Sequence, residues 1–187
     1  MRALVLNGAR DARDMTNAVA QMVTAMLQDG GWETDSVTLC ETEIADCAGC
    51  GGCALKTPGL CVLTDAANEI VRMQVQSDLL VLLTPLTFGG FSSQLKGALD
   101  RVMGICLPIY RFYHGEIHHA LRYPKQASLL GIGVAPARDE AAAGAFDLLI
   151  KRTMLNFHSP AYASGVVYEG QDIQRECETL LSQTEVW

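Results

Sequence analysis

The sequence predicts a single α/β domain built on a parallel sheet with helices on both faces. Three observations carry that prediction. Short aliphatic runs alternate five times with longer amphipathic stretches, the most apolar run (Leu79 to Leu83) suits a buried central strand, and no linker or internal repeat divides the 187 residues. Each parallel crossover needs a helix to return the chain, so five β-α repeats give a helix-covered sheet.

The elements follow in order. Residues 2–6 (Arg-Ala-Leu-Val-Leu) form a buried strand ending at Asn7-Gly8. From Met15 to Gln28, Val19, Met22, Val23, Met26 and Leu27 recur at helical spacing, and Gly30-Gly31 stops the helix. Trp32 to Leu39 alternates polar and apolar residues, as a strand near the sheet edge does. A helix over 64–75 turns Ile70, Val71 and Val75 inward, and the central strand follows at 79–83. A helix from Ser92 to Met103, a strand from Gln126 to Val134, a long helix over 138–155, a strand over 161–168 and a closing helix over 171–183 complete the pattern. The segment 104–125 is an insertion where a short connection is expected, and it carries Tyr110, Phe112, Tyr113, Tyr123, His114, His118 and His119. Those histidines read as proton donors, pocket wall or metal ligands, or more simply as a solvated or interface loop.

Composition narrows the function. With 14 basic and 21 acidic residues the net charge is −7, which argues against nucleic acid and against anionic membrane surfaces. No apolar run approaches a membrane span. The apolar start breaks at Asn7, too early for a signal peptide, so a cytoplasmic protein is expected. Seven cysteines, an odd number, then read as reduced thiols rather than a disulfide framework.

Four of the seven stand at Cys47-x2-Cys50-x2-Cys53-x7-Cys61, separated by Ala48, Gly49, Gly51 and Gly52. Small residues let a tight loop fold round one compact object and free backbone N–H groups to point at sulfur. Three cysteines at this spacing plus a distant fourth suit a [4Fe–4S] cluster, each thiolate capping one iron. A zinc site built of two C-x2-C pairs, or free redox-active thiols, are the alternatives. Cys40, Cys106 and Cys177 read as small buried hydrophobes.

Parallel sheets bind ligands outside the carboxyl ends of their strands, which selects the loops 7–16, 40–63, 84–91 and 133–139. The first runs Gly8-Ala9-Arg10-Asp11-Ala12-Arg13-Asp14-Met15-Thr16 into a helix N-terminus, an anion site in which Arg10 or Arg13 supplies charge. Thr16 either donates to the anion or simply caps the helix. The dinucleotide pattern G-x-G-x-x-G is absent. In the third loop Gly89 and Gly90 allow a flat ligand to approach the backbone, with Phe88 or Phe91 as an apolar wall.

Pro85-x-Thr87-Phe88-Gly89-x-x-Ser92-x-Gln94-Leu95-Lys96, followed by Asp100-Arg101, closely resembles the flavin loop and helix of the NADPH-dependent FMN reductases, a flavodoxin-like family. With the four-cysteine loop and Asp65 after it, residues 1–140 resemble the iron–sulfur flavoprotein branch. The resemblance implies a flavodoxin-like three-layer sandwich with a five-stranded sheet of order 2-1-3-4-5, FMN at its carboxyl edge and a [4Fe–4S] cluster near it. It also implies homo-oligomers, dimers or tetramers, in which a neighbour's loop covers the flavin. Carried over by position, Cys47, Cys50, Cys53 and Cys61 are the cluster ligands. Pro85, Leu86, Thr87, Phe88, Gly89 and Gly90 contact the isoalloxazine, mostly by backbone. Gly8 to Thr16, including Ala9, Arg10 and Arg13, is the phosphate loop, and Gly133 to Asp139 passes near the ring edge. The chain departs from the family's Gly-Ser-x-Arg and Asn-Thr pattern at Ala9, Asp11 and Met15, and Thr87 replaces a usual tyrosine.

The expected function is electron transfer through the cluster and FMN, between a one-electron donor such as ferredoxin and an acceptor. An NAD(P)H-dependent flavin or quinone reductase without a working cluster is the alternative enzyme. A zinc or redox sensor is the alternative outside catalysis.

Overall fold

Odd and even residues of the inner strands part company, because successive side chains of a strand point to opposite faces. In the computed structural model, which describes residues 1–184, Ala3, Val5, Val81, Leu83 and Ile132 lie under one helical layer. Leu4, Leu6, Leu80, Leu82 and Leu129 lie under the other. Strands buried on both faces are mostly apolar, and the central strand is buried along its whole length, its one polar side chain, Thr84, being hydrogen-bonded.

The strands are β1 (Arg2–Asn7), β2 (Glu33–Thr38), β3 (Leu79–Pro85), β4 (Cys106–Tyr113), β5 (Glu116–Leu121), β6 (Ser128–Ala135) and β7 (Tyr162–Tyr168). The helices are α1 (Thr16–Asp29), the single turn α2 (Gly52–Leu55), α3 (Ala67–Gln76), α4 (Ser93–Asp100), α5 (Glu140–Phe157) and α6 (Ile173–Ser182). The main sheet runs β2-β1-β3-β6-β7 and is parallel throughout, with Leu4 paired to Leu80 and Leu80 to Leu129. Counting its five strands in chain order gives 2-1-3-4-5, as the resemblance implies. Helices α1 and α6 cover one face through Val19, Val23, Leu27, Leu180 and Leu181. The other is covered by α3, α4 and α5 through Ile70, Leu95, Ala98, Phe146 and Ile150.

Among the described residues Phe146 is the largest fully buried side chain. Phe146→Ala is expected to lower stability by about 3–5 kcal/mol, the usual loss for an emptied aromatic position, as read by urea denaturation.

The structure differs from the sequence pattern in the region after β3. The helix expected over 92–103 leaves α-geometry at Asp100 and tightens into a 3-10 turn, Arg101–Ile105. A Cβ at Gly104 would stand 2.9 Å from the carbonyl oxygen of Gly59, so the tightened turn lets the two backbones touch. The insertion over 104–125 is not an irregular loop but the antiparallel hairpin β4–β5, a second sheet of its own. Its two-residue turn is His114-Gly115, both at positive φ (49° and 80°), the geometry that matches hairpin twist. Histidine there hides the usual Asn-Gly signal.

The hairpin is anchored rather than solvated throughout. His118 is buried and reaches Asn156 Oδ1 and Glu116 Oε2, each at 3.2 Å. Arg152 clamps Glu116 with two bonds of 2.6 and 2.7 Å, holding its carboxyl down at about 2. Tyr113 stacks on His158 with ring centroids 4.0 Å apart. The solvated reading holds for His114 and fails for His118, one of whose partners, Asn156, stands 38 residues away on α5.

Candidate functional site

At the carboxyl ends of β1, β3 and β6 lies a cleft of about 340 Å³. Its walls are Arg10, Arg13 and Met15 from the first loop, Pro85 and Leu86 from the third, and Val134, Ala135 and Pro136 after β6. Asp11, Asp14 and Glu169 supply its carboxylates.

The third loop is built to present backbone. Thr84 Oγ1 accepts from the Ser92 amide at 2.8 Å, closing the loop at its neck, and the Leu86 amide donates to Val134 at 2.7 Å. Between them Gly90 N–H donates to Thr87 O at 2.9 Å, making a turn whose central residues, Phe88 and Gly89, have φ of 50° and 75°. A Cβ at Gly89 would approach the Ala145 methyl to 2.5 Å, so this loop lies directly on α5. Phe88 projects from its tip, 99% exposed. Thr87, the departure from the family pattern, has a partner of its own: Arg10 Nη2 donates to its hydroxyl at 2.8 Å and ties the two loops together.

The first loop is held close beneath. A Cβ on Gly8 would stand 2.7 Å from Leu83 O and 2.8 Å from Ser92 Oγ, so only glycine fits. Ser92 caps α4 by accepting from Leu95, while its hydroxyl donates to Gly8 O at 2.6 Å. Ala9 is fully buried and its amide donates to Asn7 Oδ1. Thr16 is also fully buried, and its hydroxyl donates to Asp14 Oδ1 at 2.7 Å. Gly133 sits inside β6, paired with Thr84 and Val166, and the residues after it reach the cleft instead.

The end of this cleft between Pro85, Leu86 and Val134 to Pro136 fits a flat heterocycle by its apolar walls and a volume of the right order. The Thr87–Gly90 turn, which does not line it, is tied to it through Arg10. Its other end already holds a carboxylate on the helix N-terminus.

The cysteine loop leaves β2 and returns before α3. Gly49 and Gly51 take φ of 63° and 66°, which turns the chain sharply between successive cysteines. Cys47 and Cys50 are exposed; Cys53 and Cys61 are half-buried. Burial, and then the charges of Cys61, Cys47 and Cys50, push the Cys53 thiol up, so the other three sulfurs lie within electrostatic reach of Cys53. Among the described residues no three side chains close on a single-ion position. A cubane makes a different demand, one thiolate on each of four irons, and the all-cysteine donor set suits it. None of the four lines the cleft.

The loop's neck is pinned from below. Arg101 has a fully buried side chain and donates to both oxygens of Asp65, at 2.7 and 2.9 Å, and to Ala45 O. Asp65 also accepts from the amides of Ala45 and Ala67, at 2.9 and 3.1 Å. One ion pair thus joins the residues just before Cys47 and just after Cys61 to the end of α4. The bonds from Arg101 outweigh burial and hold the Asp65 carboxyl below its usual range. In the sequence Asp65 and Arg101 stand only as parts of a resemblance, and nothing in their spacing shows that they meet. Cys177 is buried as expected, its thiol pushed up to about 11 by burial and Glu176, whereas Cys40 and Cys106 are half-buried.

A parallel 2-1-3-4-5 sheet with glycine-bearing loops at its carboxyl edge defines a flavodoxin-like protein. Residues 1–120 match the NADPH-dependent FMN reductase family, and the chain belongs to it. Curated relatives include an iron–sulfur flavoprotein of Methanocaldococcus jannaschii, 30% identical over 54% of this chain and 51% of its own. Another, from Archaeoglobus fulgidus, is 30% identical over 55% of this chain and 46% of its own. The chain therefore spans about half the length of the curated relatives it matches. Among solved structures, a putative quinone reductase from Klebsiella pneumoniae superposes with a TM-score of 0.71 at 16% identity, covering 99% of this chain and 86% of that one. An FMN-dependent NADH-azoreductase from Bacillus anthracis, in complex with FMN, gives 0.68 at 13% identity, covering 95% and 94%. At such identities these two establish the fold. Among the described residues no helix is long and apolar enough to cross a membrane.

Proposed function

We propose that this chain is a flavin-dependent oxidoreductase carrying a [4Fe–4S] cluster on Cys47, Cys50, Cys53 and Cys61, passing electrons between a one-electron donor such as ferredoxin and an acceptor. The observation that carries this reading is the pinned cysteine loop: Cys47, Cys50, Cys53 and Cys61 stand on one glycine-turned loop whose neck is held by a buried ion pair. The names of the curated relatives and the family match support it. When bound, the flavin exchanges electrons singly or in pairs and the cluster exchanges them singly. The chain's own residues position rather than react. Pro85 to Gly90 offer backbone to the isoalloxazine, Arg10 ties that turn to the first loop through Thr87, and Gly8 lets the loops meet.

A second reading, an NAD(P)H-dependent FMN or quinone reductase whose cluster is absent, draws on one observation: no cysteine lines the cleft, so flavin chemistry there does not need them. Anaerobic reduction separates the two. Flavin reduced by a low-potential ferredoxin faster than by NADPH supports the first reading; flavin reduced by NADPH alone, at an unchanged rate in the cysteine variants, contradicts it.

The proposal includes a homo-oligomer, a dimer or tetramer. Ile109, Tyr110, Phe112 and Ile117 of the hairpin are exposed apolar side chains, the kind that subunit contacts cover. Exchanging Phe112 and Ile117 for serine is expected to reduce the mass seen by light scattering to that of a single chain. An unchanged assembly would move the interface elsewhere.

A further inference from the structure

In a flavin site of this architecture, the helix N-terminus receives the phosphate because its first amides are unpaired. Here they are paired. Asp14 Oδ1 accepts from the Thr16 amide at 3.0 Å and from the Thr16 hydroxyl at 2.7 Å, and Oδ2 accepts from the Arg10 amide at 3.2 Å. The amides of Asn17 and Ala18 donate to Asp14 O and Met15 O, that of Arg13 to Asp11 Oδ1, and that of Asp14 to Asp11 O. The amides left over, of Asp11, Ala12 and Met15, belong to or adjoin the two aspartates, so an anion drawn to them meets both carboxylates.

The charge balance agrees. The cleft has two arginines, Arg10 and Arg13, against Asp11, Asp14 and Glu169. Arg10 keeps its charge, which acts on Asp14, while its bond to Thr87 fixes one of its donors away from an incoming anion. Burial raises the Asp14 carboxyl, but its bonds from Thr16 and Arg10 and the charge of Arg10 outweigh that and leave it below its usual range. It is ionised at neutral pH, a resident anion at the position where a dianion would bind.

We propose that Asp14 stands in for the flavin's phosphate, so that the cleft holds flavin by its ring and ribityl chain and takes riboflavin as readily as FMN. This rests on the reading of the cleft as a flavin site. It makes the flavin an exchangeable ligand, because the charge-assisted bonds that would retain a phosphate are already made within the chain.

The test compares riboflavin and FMN binding to the full chain, stripped of flavin, by quenching of flavin fluorescence. For the natural sequence the two dissociation constants are expected to agree within about threefold, less than 1 kcal/mol. Asp14→Ser removes the resident carboxylate and is expected to tighten FMN about tenfold or more while leaving riboflavin unchanged. Asp14→Asn, which keeps an oxygen for Thr16, is expected to do the same to a smaller extent and guards against a misfolded serine variant. FMN binding about thirtyfold tighter than riboflavin to the natural chain would overturn the proposal and leave the flavin reading intact. An FMN-to-riboflavin ratio unmoved by either substitution would also overturn it. Failure of both flavins to bind any of the three proteins would overturn the flavin reading, and the proposal with it.

Discussion

Cys50→Ser is expected to abolish bound iron while leaving the fold in place. Cys50 is exposed, so its replacement empties no core position and the cost in stability is expected to stay within about 0.5 kcal/mol. Its proposed role is wholly chemical. A serine oxygen is a poor ligand for the cluster's iron, and one lost corner exposes the remainder to solvent. Iron analysis after anaerobic purification, paired with thermal unfolding, reads both halves of the expectation. Iron retained at the level of the natural chain would remove Cys50 from the ligand set. By contrast Cys177→Ser, at a buried thiol on the inner face of α6, is expected to lower stability without touching iron.

Asp65→Asn is expected to be the most destabilising of the polar substitutions, at about 3–5 kcal/mol, because it strands the buried Arg101 guanidinium without its counter-charge. Arg101→Met removes the buried charge itself. Asp65 then keeps the amides of Ala45 and Ala67 and some solvent contact, so the cost is expected to be smaller. That asymmetry distinguishes a buried ion pair from simple packing; equal losses would contradict it. Both substitutions free the loop's neck and are expected to speed proteolytic cleavage between residues 45 and 65. The same pair sets a pH dependence. Since the folded carboxyl is held below its unfolded value, Asp65's contribution is fully present above about pH 3.9 and is lost as the pH falls through the folded value. Cleavage is therefore expected to remain slow from neutral pH down to about 4 and to accelerate below it.

Much of this architecture is legible from spacing. The aliphatic runs within 2–6 and 79–83 announce the inner strands because strands buried on both faces leave little room for polar side chains. The cysteine spacing announces its loop because thiols and glycines have few other reasons to alternate there. The hairpin is not legible: its turn is His-Gly rather than Asn-Gly, and Pro108 with the irregular pairing between Cys106 and Tyr110 blurs the alternation. The neck clamp is also hidden, since Asp65 and Arg101 are 36 positions apart and only the fold brings them to hydrogen-bonding distance. Gly133 illustrates the limit of placing a loop by resemblance, since the strand extends two residues past it to Ala135 before the cleft begins. At Asp14 the sequence shows an acidic residue in an anion loop, but only the folded chain shows that its carboxylate has taken the donors.

The most direct test of the central claim is the content of iron and flavin per chain in anaerobically purified protein. About four irons and one flavin, with the brown colour of a cluster, is the predicted result. A yellow protein with flavin and no iron, or a colourless one holding zinc, would contradict it.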